Sequence, residues 1–290
     1  MQIRKPVVAG QFYPAGRDAC LAQVRECLAS RALPESLPAS IVAGIVPHAG
    51  WTFSGDLAAL VFAAIQRQRP RVETFIINGA AHGYLGTTPL VDDSDCWETP
   101  MGQVALDVEL RDDLLKQGVV RADGAAHRSE HSIEVQVPFV QHLFPEARIL
   151  PIIVPPRESA ITFGEALAEA VARIGKEMVC LGSTDLTHYG PRYGFVPMGD
   201  GPEGLRWASA VNDRAFVDLA VGLASERLLA CGVEKGSACG PGAAAATVAL
   251  AGRQRAARGV VLGQTTSNEI MLERMGTTSR DSVGYAAIVF

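Results

Sequence analysis

Short apolar runs rich in Val, Ile and Leu recur along the 290-residue chain, and segments of helical periodicity separate them. The candidate strands are 41–46, 73–78, 148–154, 178–182, 259–265 and 283–290. The candidate helices are 17–31, 54–68, 107–117, 131–144, 158–174, 205–221, 223–231 and 241–253. Continuous apolar runs are typical of strands buried on both faces. Their alternation with helices predicts an α/β fold with a largely parallel central sheet flanked by helices, in one domain over residues 1–290.

Several element boundaries carry their own local signals. Ser54 and Ser129 are suited to cap the helices that follow them, because a serine oxygen can accept from free backbone N–H groups. Pro138 lies inside a helical pattern and is expected to kink it. Pro241 fits the first turn of a helix, where its missing N–H costs nothing. The run Ala243–Ala246 predicts close packing of that helix on the sheet.

The bulk composition argues against several classes of protein. The net charge is −5 and the Lys and Arg residues are scattered, so nothing favours a nucleic-acid partner. The apolar runs are shorter than the roughly 20 residues that span a bilayer. The segment Met1–Pro6 has no secretory apolar stretch after it, and we expect a cytoplasmic protein with no membrane contact. Six cysteines without a Cys-x-x-Cys pair make a disulfide framework or a zinc knuckle improbable.

Three of the six histidines follow directly on strand-like runs. His48 comes after 41–46, His82 after 73–78, and His188 after 178–182. The carboxyl ends of parallel strands form the crevice where α/β proteins bind ligands. Each residue taken alone would be an ordinary loop histidine, but three of them together predict one shared site.

Two acidic residues are spaced to act with histidines. Asp185 is near His188 and can fix its tautomer for general base chemistry, or it can cap a turn. Both lie in 185–206, whose glycines, prolines and aromatics predict a long ordered loop, often a functional one. His131 and Glu134 share a helix face at i and i+3, so they either point into a site or form a surface ion pair.

Cys239 is the cysteine with unusual neighbours, Gly240-Pro241-Gly242 at a predicted helix start. The helix dipole there favours a thiolate, the form that binds metals or attacks carbon. The alternative is an inert buried cysteine. No Gly-x-Gly-x-x-Gly or Walker loop follows a strand, and no Gly-x-Ser-x-Gly elbow is present, so neither a nucleotide site nor an α/β-hydrolase is supported.

Six segments resemble the Memo family, whose bacterial and archaeal members are called AmmeMemoRadiSam system protein B. In order along the chain they are 9–14, 47–55, 130–139, 183–190, 239–240 and 282–287. The resemblance covers essentially the whole chain. It implies the fold of the catalytic subunit of class III extradiol ring-cleaving dioxygenases, which bind non-haem Fe(II) through two histidines and a carboxylate and use a further histidine as acid/base.

The resemblance also implies roles for individual residues. His48 and His82 correspond to the two histidine ligands, Cys239 replaces the carboxylate ligand, and His188, with Asp185 beside it, corresponds to the acid/base. The segment around His82 lacks the family's Pro-Ser-His-His run. A Cys/His₂ set suits one Fe(II) or Cu ion, with Zn as an alternative. The expected pocket residues are His131, Glu134, Trp51 and Tyr189.

Three functions follow from these expectations. The first is a metal-binding protein with oxidoreductase-like redox chemistry at one mononuclear site. The family name implies that it acts with AMMECR1-like and radical SAM proteins. The second is a non-catalytic accessory module that uses the same pocket for a peptide, a partner protein or a small molecule. The third is a hydrolase or transferase with Cys239 as nucleophile and His188 as base, which leaves His48 and His82 without a role.

Overall fold

Twelve strands and eleven α-helices make up the computed structural model, which describes residues 1–290. The strands are β1 Ile3–Arg4, β2 Ala43–Val46, β3 Thr74–Gly79, β4 Leu90–Val91, β5 Cys96–Thr99, β6 Gly102–Ala105, β7 Arg121–Ala122, β8 Arg148–Ile153, β9 Met178–Ser183, β10 His188–Tyr189, β11 Val260–Thr266 and β12 Ser282–Val289. The helices are α1 Arg17–Ser30, α2 Trp51–Gln68, α3 Val108–Lys116, α4 Gly124–His127, α5 Val137–Leu143, α6 Ser159–Ile174, α7 Pro202–Trp207, α8 Arg214–Val221, α9 Ser225–Lys235, α10 Pro241–Arg253 and α11 Ser267–Met275.

Nine strands form the main sheet, in the order β10-β12-β2-β9-β3-β8-β4-β7, with β11 paired to β12. The four central strands β2, β9, β3 and β8 are parallel to their neighbours. β12 and β4 run antiparallel to the strands on either side of that group. The predicted α/β fold is confirmed, and the sheet is mixed because antiparallel strands flank its parallel centre. The likeness to class III extradiol dioxygenases stays a prediction.

The core lies on both faces of this sheet. Along β3, Phe75 and Ile77 belong to the apolar cluster that α1, α2 and α5 cover, whereas Ile76 belongs to the cluster that α6, α8, α9 and α10 cover. Successive strand side chains point to opposite faces, so a strand covered on both sides must be apolar throughout. This is why the central strands were visible in the sequence as unbroken apolar runs.

Helix α10 packs against the sheet through small side chains, as the sequence predicted, and it also packs against α6. Ala243–Ala246 are all buried, and Pro241 occupies the first turn of the helix. A methyl group on Gly164 of α6 would lie 2.9 Å from the carbonyl carbon of Ala246 and closer still to its oxygen. The short side chains therefore allow the two backbones to approach each other closely.

The other predicted boundary signals were wrong in detail. α2 begins at Trp51 with Gly50 at its N-cap, and the Ser54 hydroxyl donates to a carbonyl one turn back. Ser129 precedes α5 by eight residues and caps no helix, because a 3₁₀ turn over Glu134–Gln136 starts that segment instead. Pro138 therefore lies in the first turn of α5, where it introduces no kink.

The predicted long loop over 185–206 contains short regular elements. It includes β10, a 3₁₀ turn over Pro191–Tyr193 and the start of α7. π-helical turns over Ala208–Asp213 connect α7 to α8. All six cysteines carry free thiols, and none of the helices has the length and apolar character needed to cross a membrane.

Candidate metal centre

Neighbouring parallel strands deliver the predicted site residues to one edge of the sheet. β2 ends two residues before His48, β3 ends three residues before His82, and β9 ends two residues before Asp185. Because β9 lies between β2 and β3, these three chain exits are adjacent. The turn before α10 adds Cys239 from one side, and the segment before the 3₁₀ turn adds His131 from the other.

Two overlapping groups of potential metal donors meet at His48. The donor atoms of His48, His82 and His131 lie within 4.8 Å of one another, and so do those of His48, Asp185 and Cys239. The imidazole rings of His82 and His131 stack with centroids 4.7 Å apart. Cys239 Sγ lies 3.1 Å from His48 Nε2. The predicted ligands His48, His82 and Cys239 are thus divided between the two groups, with His48 common to both.

Hydrogen bonds assign the tautomer of His48. Its Nδ1 lies 3.1 Å from Ser183 Oγ, and that hydroxyl donates its own proton to the Ser132 carbonyl at 2.7 Å. The Ser183 oxygen must therefore accept from Nδ1–H, which leaves a lone pair on Nε2. His48 is 2% exposed, and burial lowers its pKa well below the usual value, so the ring is neutral. A neutral imidazole with a free Nε2 is the form that binds metals.

Glu130 holds His82 in the same tautomer. His82 Nδ1 lies 3.0 Å from Glu130 Oε1. Burial alone would raise the pKa of Glu130, but hydrogen bonds from His82 and Ser132 outweigh it and bring that pKa to about 2. The ionised carboxylate can only accept, so Nδ1 carries a proton, and Nε2 is the nitrogen that has the lone pair in the neutral ring. Burial alone would lower the pKa of His82, but Glu130 and Asp185 raise it above the usual value.

Asp185 and His188 both line the site, but Asp185 does not orient His188 as predicted. His188 Nδ1 lies 3.1 Å from the Leu186 carbonyl, which fixes the proton on Nδ1. Asp185 Oδ1 instead accepts from the backbone N–H of His48 at 2.6 Å, because the ends of β2 and β9 are adjacent. Burial raises the pKa of Asp185. Asp185 therefore ties two strand ends together beside the donor atoms.

Cys239 contacts His48 and not His188. Its thiol donates to the unprotonated Nε2 of His48, with Thr184 and Asp185 as more distant partners. Burial raises the pKa of the Cys239 thiol, which opposes the effect that the helix dipole was predicted to have on this residue. Because His188 does not contact the thiol, the geometry gives no support to a nucleophile–base pair of Cys239 and His188.

The donor histidines line a cavity of about 600 Å³, and Cys239 is not among its lining residues. His48, His82, His131, Asp185 and His188 all contribute to this lining. The lining also has apolar, hydroxyl and charged side chains, including Phe12, Phe53, Arg192, Tyr193, Met271 and Tyr285. The cavity is therefore much larger than one metal ion requires.

Three residues predicted to line this pocket lie outside it. Glu134 is buried in an ion pair with Arg4, and its carboxylate also accepts from the Tyr13 hydroxyl. Trp51 Nε1 donates to the Val135 carbonyl within the core. Tyr189 is fully buried, and its hydroxyl donates to the Gly199 carbonyl. These side chains anchor the N-terminal segment, α2 and the 190s loop, whereas the fourth predicted residue, His131, does line the cavity.

The residues that position the donors were not predicted from the sequence. Glu130 and Ser132 flank His131, and Ser183 lies at the end of β9, inside segments that were already singled out. Their partners are distant in sequence: Glu130 is 48 residues from His82, and Ser183 is 135 residues from His48. The one available signal was the position of Glu130 next to His131 in the sequence. The hydrogen-bonding partner of Glu130 is nevertheless His82.

An α/β fold that presents clustered histidines, a carboxylate and a cysteine at its strand ends defines a candidate metal-binding protein. The model of the Memo-like protein family matches residues 4–289, and the chain belongs to that family. It is 35% identical over 300 residues to a MEMO1 family protein of Thermococcus kodakarensis, covering 99% of each chain. It is 32% identical over 290 residues to a MEMO1 family protein of Methanosarcina barkeri, again over 99% of both.

Proposed function

We propose that the protein binds one transition-metal ion through His48, His82 and Cys239 and carries out redox chemistry there. The observation that carries this proposal is the state of the two imidazoles. Each has its Nδ1–H held by a protein acceptor, which leaves the Nε2 lone pair for a metal. A buried acceptor behind a histidine is the arrangement that metal sites use to orient their ligands.

The donor set favours a borderline or soft metal. Two imidazole nitrogens and a sulfur suit iron, copper or zinc, and we propose Fe(II) or Cu, with Zn as the alternative. His131 offers a further nitrogen on the same side as His82. When bound, iron or copper supplies electron transfer and open positions for a substrate. Binding would also require the Cys239 thiol to release its proton, because the thiolate is the ligand.

His188 would hold or move a proton beside this centre. Its Nδ1 proton is committed to the Leu186 carbonyl, so Nε2 is the nitrogen free to exchange a proton. The residue lines the same cavity as the donors. A histidine with its tautomer fixed in this way can act as general acid or base for a bound substrate.

Metal analysis of purified variants tests the proposal. The wild-type protein should bind about one ion per chain, and His48→Ala and Cys239→Ser should each lose most of it. His142→Ala is the matched control, because His142 lies outside the cavity and should leave the metal content unchanged. Full metal content in both site variants would contradict the assignment.

A non-catalytic accessory role is the second candidate, and the size of the cavity favours it. The apolar side chains in the cavity lining can receive a peptide, a partner segment or a small molecule without any reaction. We propose AMMECR1-like and radical SAM proteins as partners in the cytoplasm. Capture of such a partner by wild-type protein, lost in a cavity variant such as Phe53→Ala and accompanied by no turnover, would favour this role over an enzyme.

A further inference from the structure

The lining of the cavity contains one strongly basic side chain. Arg192 is the sole Lys or Arg among the cavity residues. No ion pair or side-chain hydrogen bond within the protein engages its guanidinium, although its backbone N–H donates to Asp281 Oδ1 at 2.8 Å. That hydrogen bond occupies an oxygen of the neighbouring carboxylate. The cavity lining thus includes an exposed guanidinium with its five donors free.

The turn that carries Arg192 is held in place. Gly190 and Gly194 flank it with φ values of 126° and 64°, which favour glycine over any other residue. The backbone N–H of Gly190 donates to the Phe195 carbonyl at 2.9 Å, and this bond closes the turn at its base. Tyr193 packs edge-on against His188 with ring centroids 5.0 Å apart. The backbone that carries Arg192 is therefore held in place beside His188.

Apolar side chains lie around the same space. Phe12, Phe53, Met271 and Val283 line the cavity along with the histidines and Arg192. A cavity lined by apolar side chains, histidines and a free cation is suited to an amphiphilic ligand. Carboxylates and phosphates match the planar fork of a guanidinium better than neutral groups do.

We propose that the cavity binds a small organic anion, with its oxyanion head group on Arg192 and its apolar body against Phe53 and Met271. This rests on the proposed function for the ligand's role as substrate, because the donor histidines line the same cavity. Binding itself needs no metal. The shared chemistry of the head group is a carboxylate or a phosphate monoester.

Three probes with one body and different head groups test this. They are 4-biphenylacetate, its neutral amide 4-biphenylacetamide, and biphenyl-4-yl phosphate, titrated by calorimetry into the full-length protein as purified and after chelation. At least one anion should bind roughly tenfold tighter than the amide, with or without metal. The tighter anion identifies the head group. Equal affinity of all three probes, or no binding of any, would overturn the proposal.

Variants assign the two parts of the ligand. Arg192→Gln should remove the preference for anions and leave the affinity for the amide unchanged. Arg206→Gln is the control, because Arg206 is also exposed and outside any ion pair but does not line this cavity. Phe53→Ala should weaken anion and amide alike. A preference for anions that survives Arg192→Gln would refute the role of Arg192. A failure of the metal proposal would instead be seen in the metal analysis and would leave these binding affinities unchanged.

Discussion

At the scale of single residues, the site depends on side chains that do not face the cavity. The Ser183 hydroxyl accepts a hydrogen bond from His48 and donates one to the Ser132 carbonyl, and Glu130 accepts a hydrogen bond from His82. Both acceptors are buried, so neither can exchange its partner for water without cost. The orientation of the two imidazole rings is therefore set by residues that lie behind them and outside the cavity lining.

Glu130→Gln should weaken metal binding by about 10- to 100-fold, the usual cost of losing an acceptor behind a metal-binding histidine. The amide has the shape of the carboxylate but removes the charge that holds Nδ1–H of His82. Competition between the protein and a chelator of known affinity measures the effect. Glu146→Gln, at an exposed position, is the control. Equal affinity in both variants and the wild type would show that Glu130 has no such role.

Asp213 should make folding stability depend on pH. Burial raises the pKa of Asp213 to about 7, and hydrogen bonds from Thr187 only partly oppose this. In the unfolded chain, the same carboxyl releases its proton near pH 4. Between about pH 4 and 7, the folded protein therefore binds more protons than the unfolded chain. The free energy of unfolding falls by up to about 1.4 kcal/mol per pH unit as the pH rises through this range.

Asp213→Asn removes this ionisation and keeps an oxygen that can accept from the Thr187 N–H. The stability of the wild type relative to this variant should therefore decline from pH 4.5 to 7.5. Urea unfolding of both proteins at several pH values measures that difference. The contributions of the other titrating groups cancel because both proteins share them. Curves that stay parallel across the range would contradict the raised pKa.

At the scale of elements, close helix packing explains the glycine and alanine content of α6 and α10. Gly164→Ala should destabilise the protein by roughly 1–3 kcal/mol, because the new methyl meets the backbone of Ala246, which cannot move aside. Gly252→Ala in α10 is the matched control. Nothing lies within 4 Å of its new methyl, so it should be neutral or stabilise by about 0.5 kcal/mol. Thermal unfolding that ranks the two variants equally would contradict this packing.

Elements with strong periodicity were predictable, and elements that depend on distant partners were not. The central strands and α10 matched their predicted bounds closely because burial on both faces or a proline at the first turn marks them in the sequence. β4 and β7 have two residues each and exist only because they pair with neighbouring strands. The predicted caps at Ser54 and Ser129 failed because Gly50 and a 3₁₀ turn start those segments instead.

At the scale of the whole molecule, the sheet is what brings the site together. The sequence predicted that His48, His82 and His188 share one edge, since parallel strands end there. It could not show that Glu134, Trp51 and Tyr189, which lie in the same motifs, are structural. Their partners Arg4, Val135 and Gly199 come from other segments that only the folded chain places beside them.

Titration with cobalt(II) under anaerobic conditions tests the central claim most directly, because cobalt reports both stoichiometry and sulfur ligation. We expect saturation at about one ion per chain and a thiolate-to-metal charge-transfer band that is lost in Cys239→Ser. Absence of saturable binding, or a spectrum that Cys239→Ser and His48→Ala leave unchanged, would contradict a metal centre built on these residues.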